Sequence, residues 1–160
     1  MLSAMSKPTQ TPSALAILNA MADQRKAEKH PNVPYRVKSK YSDKAANDLT
    51  TCIVDYLTLC GHFATRLQST GTYRDDIKKW VPSQQKAGLP DTVAIVDSYV
   101  LFCEVKIGND RVSEVQKATI ESLLLSGAYV FIAKDFQSFY DWFTALQPQL
   151  HRAESLPFQP

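Results

Sequence analysis

The chain has 160 residues, 44% of them hydrophobic and 21% charged, which is enough for one domain with a buried core plus an arm or tail. No apolar run approaches the roughly 20 residues of a bilayer-crossing helix, and the start, MLSAMSKPTQTPS, lacks the apolar segment of a secretory signal, so a cytoplasmic, non-secreted protein is expected. The net charge of +2 is unevenly spread, with eight Lys or Arg against three Asp or Glu in residues 1–44 and ten against thirteen in residues 45–160. Such a basic arm suits contact with phosphates, and equally a solvated leader.

In chain order, Leu15, Leu18 and Met21 or Ala22 recur at helical spacing, ahead of a charged end that Pro31 closes. PNVPYRVKSKYS follows as a proline-bearing basic linker, so residues 1–41 form an arm with a short helix and residues 42–147 the main domain. Ser42 or Asp43 suits the N-cap of a second helix that buries Leu49, Ile53, Tyr56 and Leu57 and stops at Gly61. HFATRLQ alternates as a first strand, and STGTYRDDIKKWVPSQQKAG is a long polar loop of a length that is often functional.

Residues 91–96 and 99–107 predict two strands joined at Asp97-Ser98. A helix from about Ser113 to Ser126, ended by Gly127, precedes the buried strand AYVFIA, and Asp135 caps a last helix before a tail at 148–160. This order implies an α/β domain with a mixed sheet, antiparallel strands first and then a helical crossover. Cys52, Cys60 and Cys103, odd in number and in apolar surroundings, are expected to be buried free thiols. His30, His62 and His151 receive no catalytic or metal role, and the aromatics of FYDWF, at helical spacing, belong to the core or a dimer surface.

If Asp97 and Ser98 form a two-residue turn, Val96 pairs with Tyr99, and equal steps away from them set Asp91 opposite Glu104. Their Cβ atoms are then about 4.5–5.5 Å apart on one face, which Lys106 shares because strand side chains alternate. Opposed carboxylates destabilise a sheet unless a cation lies between them. Oxygen ligands select a hard ion such as Mg²⁺ or Mn²⁺, which polarises a phosphoryl oxygen, while a neighbouring ammonium offsets charge in the transition state. That equipment suits hydrolysis of a phosphodiester. The same residues also fit an exposed strand start at Asp91 and a surface ion pair between Glu104 and Lys106.

Pro90-Asp91, followed after twelve residues by Glu104-Val105-Lys106, resembles the signature of the PD-(D/E)XK nuclease superfamily. GLPD ahead of the hairpin and the Ser113-x-x-Gln116 helix after it resemble the VRR-NUC branch, over residues of about 45–143. The resemblance implies a restriction-endonuclease-like αβββαβ core and a Mg²⁺- or Mn²⁺-dependent DNA endonuclease. Asp91, Glu104 and the Val105 carbonyl would ligate the metal, Lys106 would be the catalytic lysine, and Gln116 would lie near the site. Gln116 equally completes a capping box with Ser113.

Stand-alone members of that branch include homodimers that cleave four-way (Holliday) junctions, so branched DNA, a second copy of the chain and roles in DNA repair, recombination or mobile-element processing are implied. One departure stands out. Related nucleases carry a glutamate in the first helix, where this chain has Ala46 or Thr50, and a non-catalytic DNA-binding or assembly module retaining the fold is the alternative. Arg66, Ser69, Arg74, Lys78, Lys79 and Arg111 are candidates for DNA phosphates, with Tyr73 and Trp80 available for stacking.

Overall fold

A computed structural model describes residues 11–67, 71–81, 83 and 85–150. Its elements are α1 (Ala14–Lys29), α2 (Ala46–Leu59), β1 (Phe63–Arg66), β2 (Thr72–Arg74), β3 (Lys79–Val81), β4 (Thr92–Val96), β5 (Tyr99–Val105), α3 (Glu114–Leu125), β6 (Tyr129–Ala133) and α4 (Phe136–Leu150). The main sheet has the order β1-β4-β5-β6. β1, β4 and β5 are antiparallel neighbours, and β6 returns parallel to β5 after the α3 crossover. This is the mixed sheet that the element order implies. No described helix is long and apolar enough to cross a membrane.

The hairpin fixes the register. Asp97 and Ser98 both have positive φ, 47° and 72°, the conformation of a two-residue turn whose twist matches that of the strands. Val96 accordingly pairs with Tyr99 and Thr92 with Cys103. Alternation then divides β5 between two faces. Leu101, Cys103 and Val105 are buried towards α2 and α4, together with Ala94 and Val96, while Val100, Phe102 and Glu104 point to the side of α3.

The α2/α4 side holds the core. Leu49, Ile53, Phe136, Phe139 and Phe143 are fully or almost fully buried, and each such side chain contributes roughly 1.5–3 kcal/mol by leaving water. Phe139 stacks on Phe143 with ring centroids 6.0 Å apart, and Tyr56 meets Phe136 edge-on at 5.6 Å. All three cysteines are free. Burial pushes the Cys52 thiol up to about 12, and the Cys103 thiol up as well, so neither is a reactive thiolate at neutral pH.

Four local features differ from the sequence reading. α1 buries Leu18 and Ala22 of the expected stripe, with Ala14 rather than Leu15 completing it, and it packs on α2 and α4. Asn19 and Asp23 tie the following linker to it by accepting from the Tyr41 and Ser39 amides at 2.9 and 2.7 Å. α2 begins at Ala46 with Ala45 as an N-cap that makes no side-chain bond, because Asp43 instead accepts from the amide of Phe136 at the start of α4, 2.9 Å away. The long polar loop contains a separate two-stranded sheet, β2–β3. α4 continues through Pro148 to Leu150, whose side chain is buried.

Candidate active site

Asp91 leaves the buried Pro90 just before β4, and two bonds hold it. Its carbonyl accepts from the Leu67 amide, and its Oδ2 from the Val105 amide, both at 2.8 Å. The carboxylate therefore reaches across the ladder to β5, one residue past Glu104. Glu104 lies opposite Ile132 in the parallel pair with β6, and Lys106 extends that pair by donating its amide to the Ala133 carbonyl at 2.9 Å. Glu104 is only 2% exposed and Lys106 9%, an unusual depth for charged residues.

Two partners hold one oxygen of the Glu104 carboxylate. Its Oε1 accepts from Lys106 Nζ at 3.0 Å and from Gln116 Nε2 at 2.5 Å. Its Oε2 is buried with no hydrogen-bond partner. Gln116 makes the capping contact as well as the one to Glu104: its Oε1 accepts from the Ser113 amide at 2.9 Å while Ser113 Oγ accepts from the Gln116 amide at 3.2 Å, closing the capping box. The helix cap thus aims the amide nitrogen at Glu104.

Asp110 is a residue that the sequence reading passed over. Gly108, at φ 61°, turns the chain after β5, and the Asp110 amide donates back to the Ile107 carbonyl at 3.1 Å. Asp110 Oδ2 then lies 3.3 Å from Lys106 Nζ. The available signal was an acid four residues after the lysine, which on a strand end has meaning only once a turn is known.

Burial raises the Glu104 pKa; the Lys106 hydrogen bond lowers it, and the charge of Asp91 raises it further. For Lys106, burial acts downward, but hydrogen bonds and charge from Glu104 and Asp110 outweigh it and the pKa is raised. The ammonium is charged at neutral pH. A desolvated carboxylate with one bare oxygen beside a second acid is a favourable place for a hard cation. Asp91, Glu104 and the Val105 main chain supply oxygen donors of the right type, and Mg²⁺ keeps several waters, so they fit such an ion.

No third acid joins them: the described residues contain no group of three His, Cys, Asp or Glu suited to a metal. Thr50 is buried and turns its hydroxyl to the Ala46 carbonyl at 2.8 Å. The Arg66 guanidinium donates to Asn47 Oδ1 at 3.2 Å and to the Asn47 carbonyl at 2.7 Å, so it ties β1 to α2. Arg74 pairs with Asp76. Lys78 and Lys79 lie on the β2–β3 hairpin, where Tyr73 and Trp80 touch, Arg111 is exposed before α3, and Ser69 lies outside the described residues.

Among known proteins, the family model described as the VRR-NUC domain matches residues 15–135, well over half of the chain, from within α1 to the start of α4. None of the curated proteins and none of the solved structures compared with it matches the chain.

Proposed function

From the premise that the chain belongs to the VRR-NUC domain family, of the PD-(D/E)XK nuclease superfamily, we propose that it is a Mg²⁺- or Mn²⁺-dependent DNA endonuclease acting on branched or structured DNA. The observation that carries this reading is the Glu104 carboxylate, buried, with one oxygen held by Lys106 and Gln116 and the other without a partner.

Asp91, Glu104 and the Val105 carbonyl would hold the ion. When bound, it supplies Lewis-acid polarisation of the phosphoryl oxygen. Gln116 fixes the Glu104 rotamer, and the bond from the Val105 amide fixes Asp91, so the two carboxylates are oriented before substrate arrives. Lys106 acts as an ammonium. Its pKa, raised by Glu104 and to a lesser extent by Asp110, suits it to stabilise negative charge on the phosphoryl group. Lys78, Lys79 and Arg111, all exposed, would contact phosphates and set the strand's register.

A homodimer is part of the proposal. What supports it is a row of exposed apolar side chains across three neighbouring strands, Phe63, Ile95 and Val100, opposed in register. Two-fold symmetry would supply two active sites for the two strands of a branch. The missing first-helix acid favours a second reading, a DNA-binding module without catalysis.

The deciding experiment incubates the protein with linear, flap and four-way DNA in Mg²⁺ or Mn²⁺, beside Glu104→Ala and Lys106→Ala. Cleavage by the wild type and its loss by at least about 100-fold in both variants is expected. Wild-type binding without cleavage of any substrate would establish the second reading, and cleavage that survives both substitutions would put the chemistry elsewhere.

A further inference from the structure

The β2–β3 ribbon stands apart from the rest of the chain. It shares no ladder with the main sheet, and each of its six residues is exposed except the half-buried Val81. Two-stranded ribbons are marginal in water, and the ring contact between Tyr73 and Trp80, opposed in register with centroids 5.9 Å apart, helps to hold this one. Those rings nevertheless face solvent: Trp80 is 70% exposed and Tyr73 45%. Alternation puts Arg74 and Lys79, also opposed, on the other face. Lys78 and Lys79 form no ion pair among the described residues.

Both roots of the ribbon are fastened beside Asp91. On the outgoing side the Leu67 amide holds the Asp91 carbonyl. On the returning side Thr119 of α3 donates its hydroxyl to the Ala87 carbonyl at 3.0 Å. Gly88, at φ 77°, lies so close to α3 that an added Cβ would fall 2.7 Å from the Val115 carbonyl oxygen. The helix that anchors this root is the one that carries Gln116. The chain on either side of an exposed aromatic pair backed by cations is therefore held to two of the elements that build the candidate active site.

We infer that the ribbon is a stacking arm that takes one unpaired DNA base onto Trp80, next to the strand to be cut. This rests on the nuclease reading and specifies what that substrate contains. A base inside a duplex has both faces covered by its neighbours, so an indole can stack only on a base that is single-stranded, terminal or displaced. Residues 71–86 carry four Lys or Arg against two Asp, which suits a polyanion and leaves cations for the flanking phosphates. A protein partner is the poorer occupant, because two aromatic side chains of roughly 150–250 Å² each fall well short of the roughly 800 Å² per side of a stable interface.

The test uses the full chain with divalent ions chelated, so binding is read without cleavage. Oligo(dT) and a blunt duplex with the same number of phosphates are titrated while tryptophan emission is followed. Trp142 is half-buried and stacked on Phe131 with centroids 4.7 Å apart, so it gives a constant background. Oligo(dT) should quench the emission strongly and the duplex, which offers only its two terminal pairs for stacking, far less. Trp80→Ala should weaken oligo(dT) binding about tenfold without changing duplex binding, whereas Trp80→Phe should keep most of the affinity and lose the quenching. Equal quenching by both DNAs, or undiminished oligo(dT) binding by a folded Trp80→Ala variant, would overturn the stacking arm. Absence of quenching with any DNA would also overturn it, leaving a protein contact as the use of the rings. The readout does not involve cleavage, so an inactive protein can still pass and an active one can still fail.

Discussion

The two faces of the main sheet differ in what they bury. Towards α2 and α4 most side chains are apolar and out of water, with Phe136, Phe139 and Phe143 at 1% exposure or less; towards α3, Phe63, Ile95, Val100 and Ile132 are 38–61% exposed while Glu104 and Lys106 are hidden. The residues of one strand, β5, serve both sides in alternation. The packed face supplies the stability that lets the other carry buried charges beside exposed apolar groups, an arrangement that would be costly in an isolated hairpin.

The comparison can be broken most forcefully from the packed side. Phe139→Ala should cost about 3–5 kcal/mol of stability in urea unfolding while cleavage per folded molecule stays near the wild-type rate; a loss below about 1 kcal/mol would mean that the aromatic layer is not what supports the sheet.

On the open side the expected effects are reversed. Glu104→Gln should lower cleavage by on the order of 10³-fold, about 4 kcal/mol of activation free energy, without lowering the melting temperature in the absence of metal. The sign follows from the raised pKa of Glu104. The stability it contributes is present below its ordinary value and is lost as pH rises through the raised one, so the neutral amide should be at least as stable at pH 7, and the difference should shrink in acid. A variant that melts well below the wild type at pH 7 would show that the Lys106 pair outweighs the burial of charge.

Gly88→Ala probes the seam between the open face and the ribbon. The left-handed φ and the contact with Val115 should together cost about 1–3 kcal/mol, and limited proteolysis should cut residues 71–86 faster than in the wild type. The smallest effect belongs to Asp23, which touches neither face. Its pKa is lowered, first by the hydrogen bond from the Ser39 amide, so its contribution is present above the ordinary value of 3.8 and is lost as pH falls through the lowered one. Melting curves should separate Asp23→Asn from the wild type at neutral pH and converge in acid; a gap that persists in acid would assign the effect to packing.

Much of this was legible in the sequence because it depends on local rules. Two-residue alternation and a turn whose residues tolerate positive φ gave the register of β4 and β5, and the Ser113-x-x-Gln116 spacing gave the start of α3. The parts that were not legible depend on distance or on weak signals. Asp43 is a good N-cap type beside α2, yet it caps α4, 93 residues away, and nothing in its neighbours distinguishes the two uses. β2 and β3 have three residues each and no buried face, so no apolar period marks them. In α1 the spacing gave Leu18 and Ala22 but not Ala14, since an alanine carries little weight in a hydrophobic pattern beside Leu15. Asp110 reaches Lys106 only through the bend at Gly108.

Gln116 has a further consequence. One side chain closes the first turn of α3 and also holds the Glu104 carboxylate, so the order of that turn and the pose of the carboxylate are thermodynamically linked. Whatever draws Glu104 away from Gln116 should loosen the helix start, and whatever settles it should protect the amides there. Amide hydrogen exchange at the beginning of α3 would then report the occupancy of the carboxylate site from outside it, with no need for turnover.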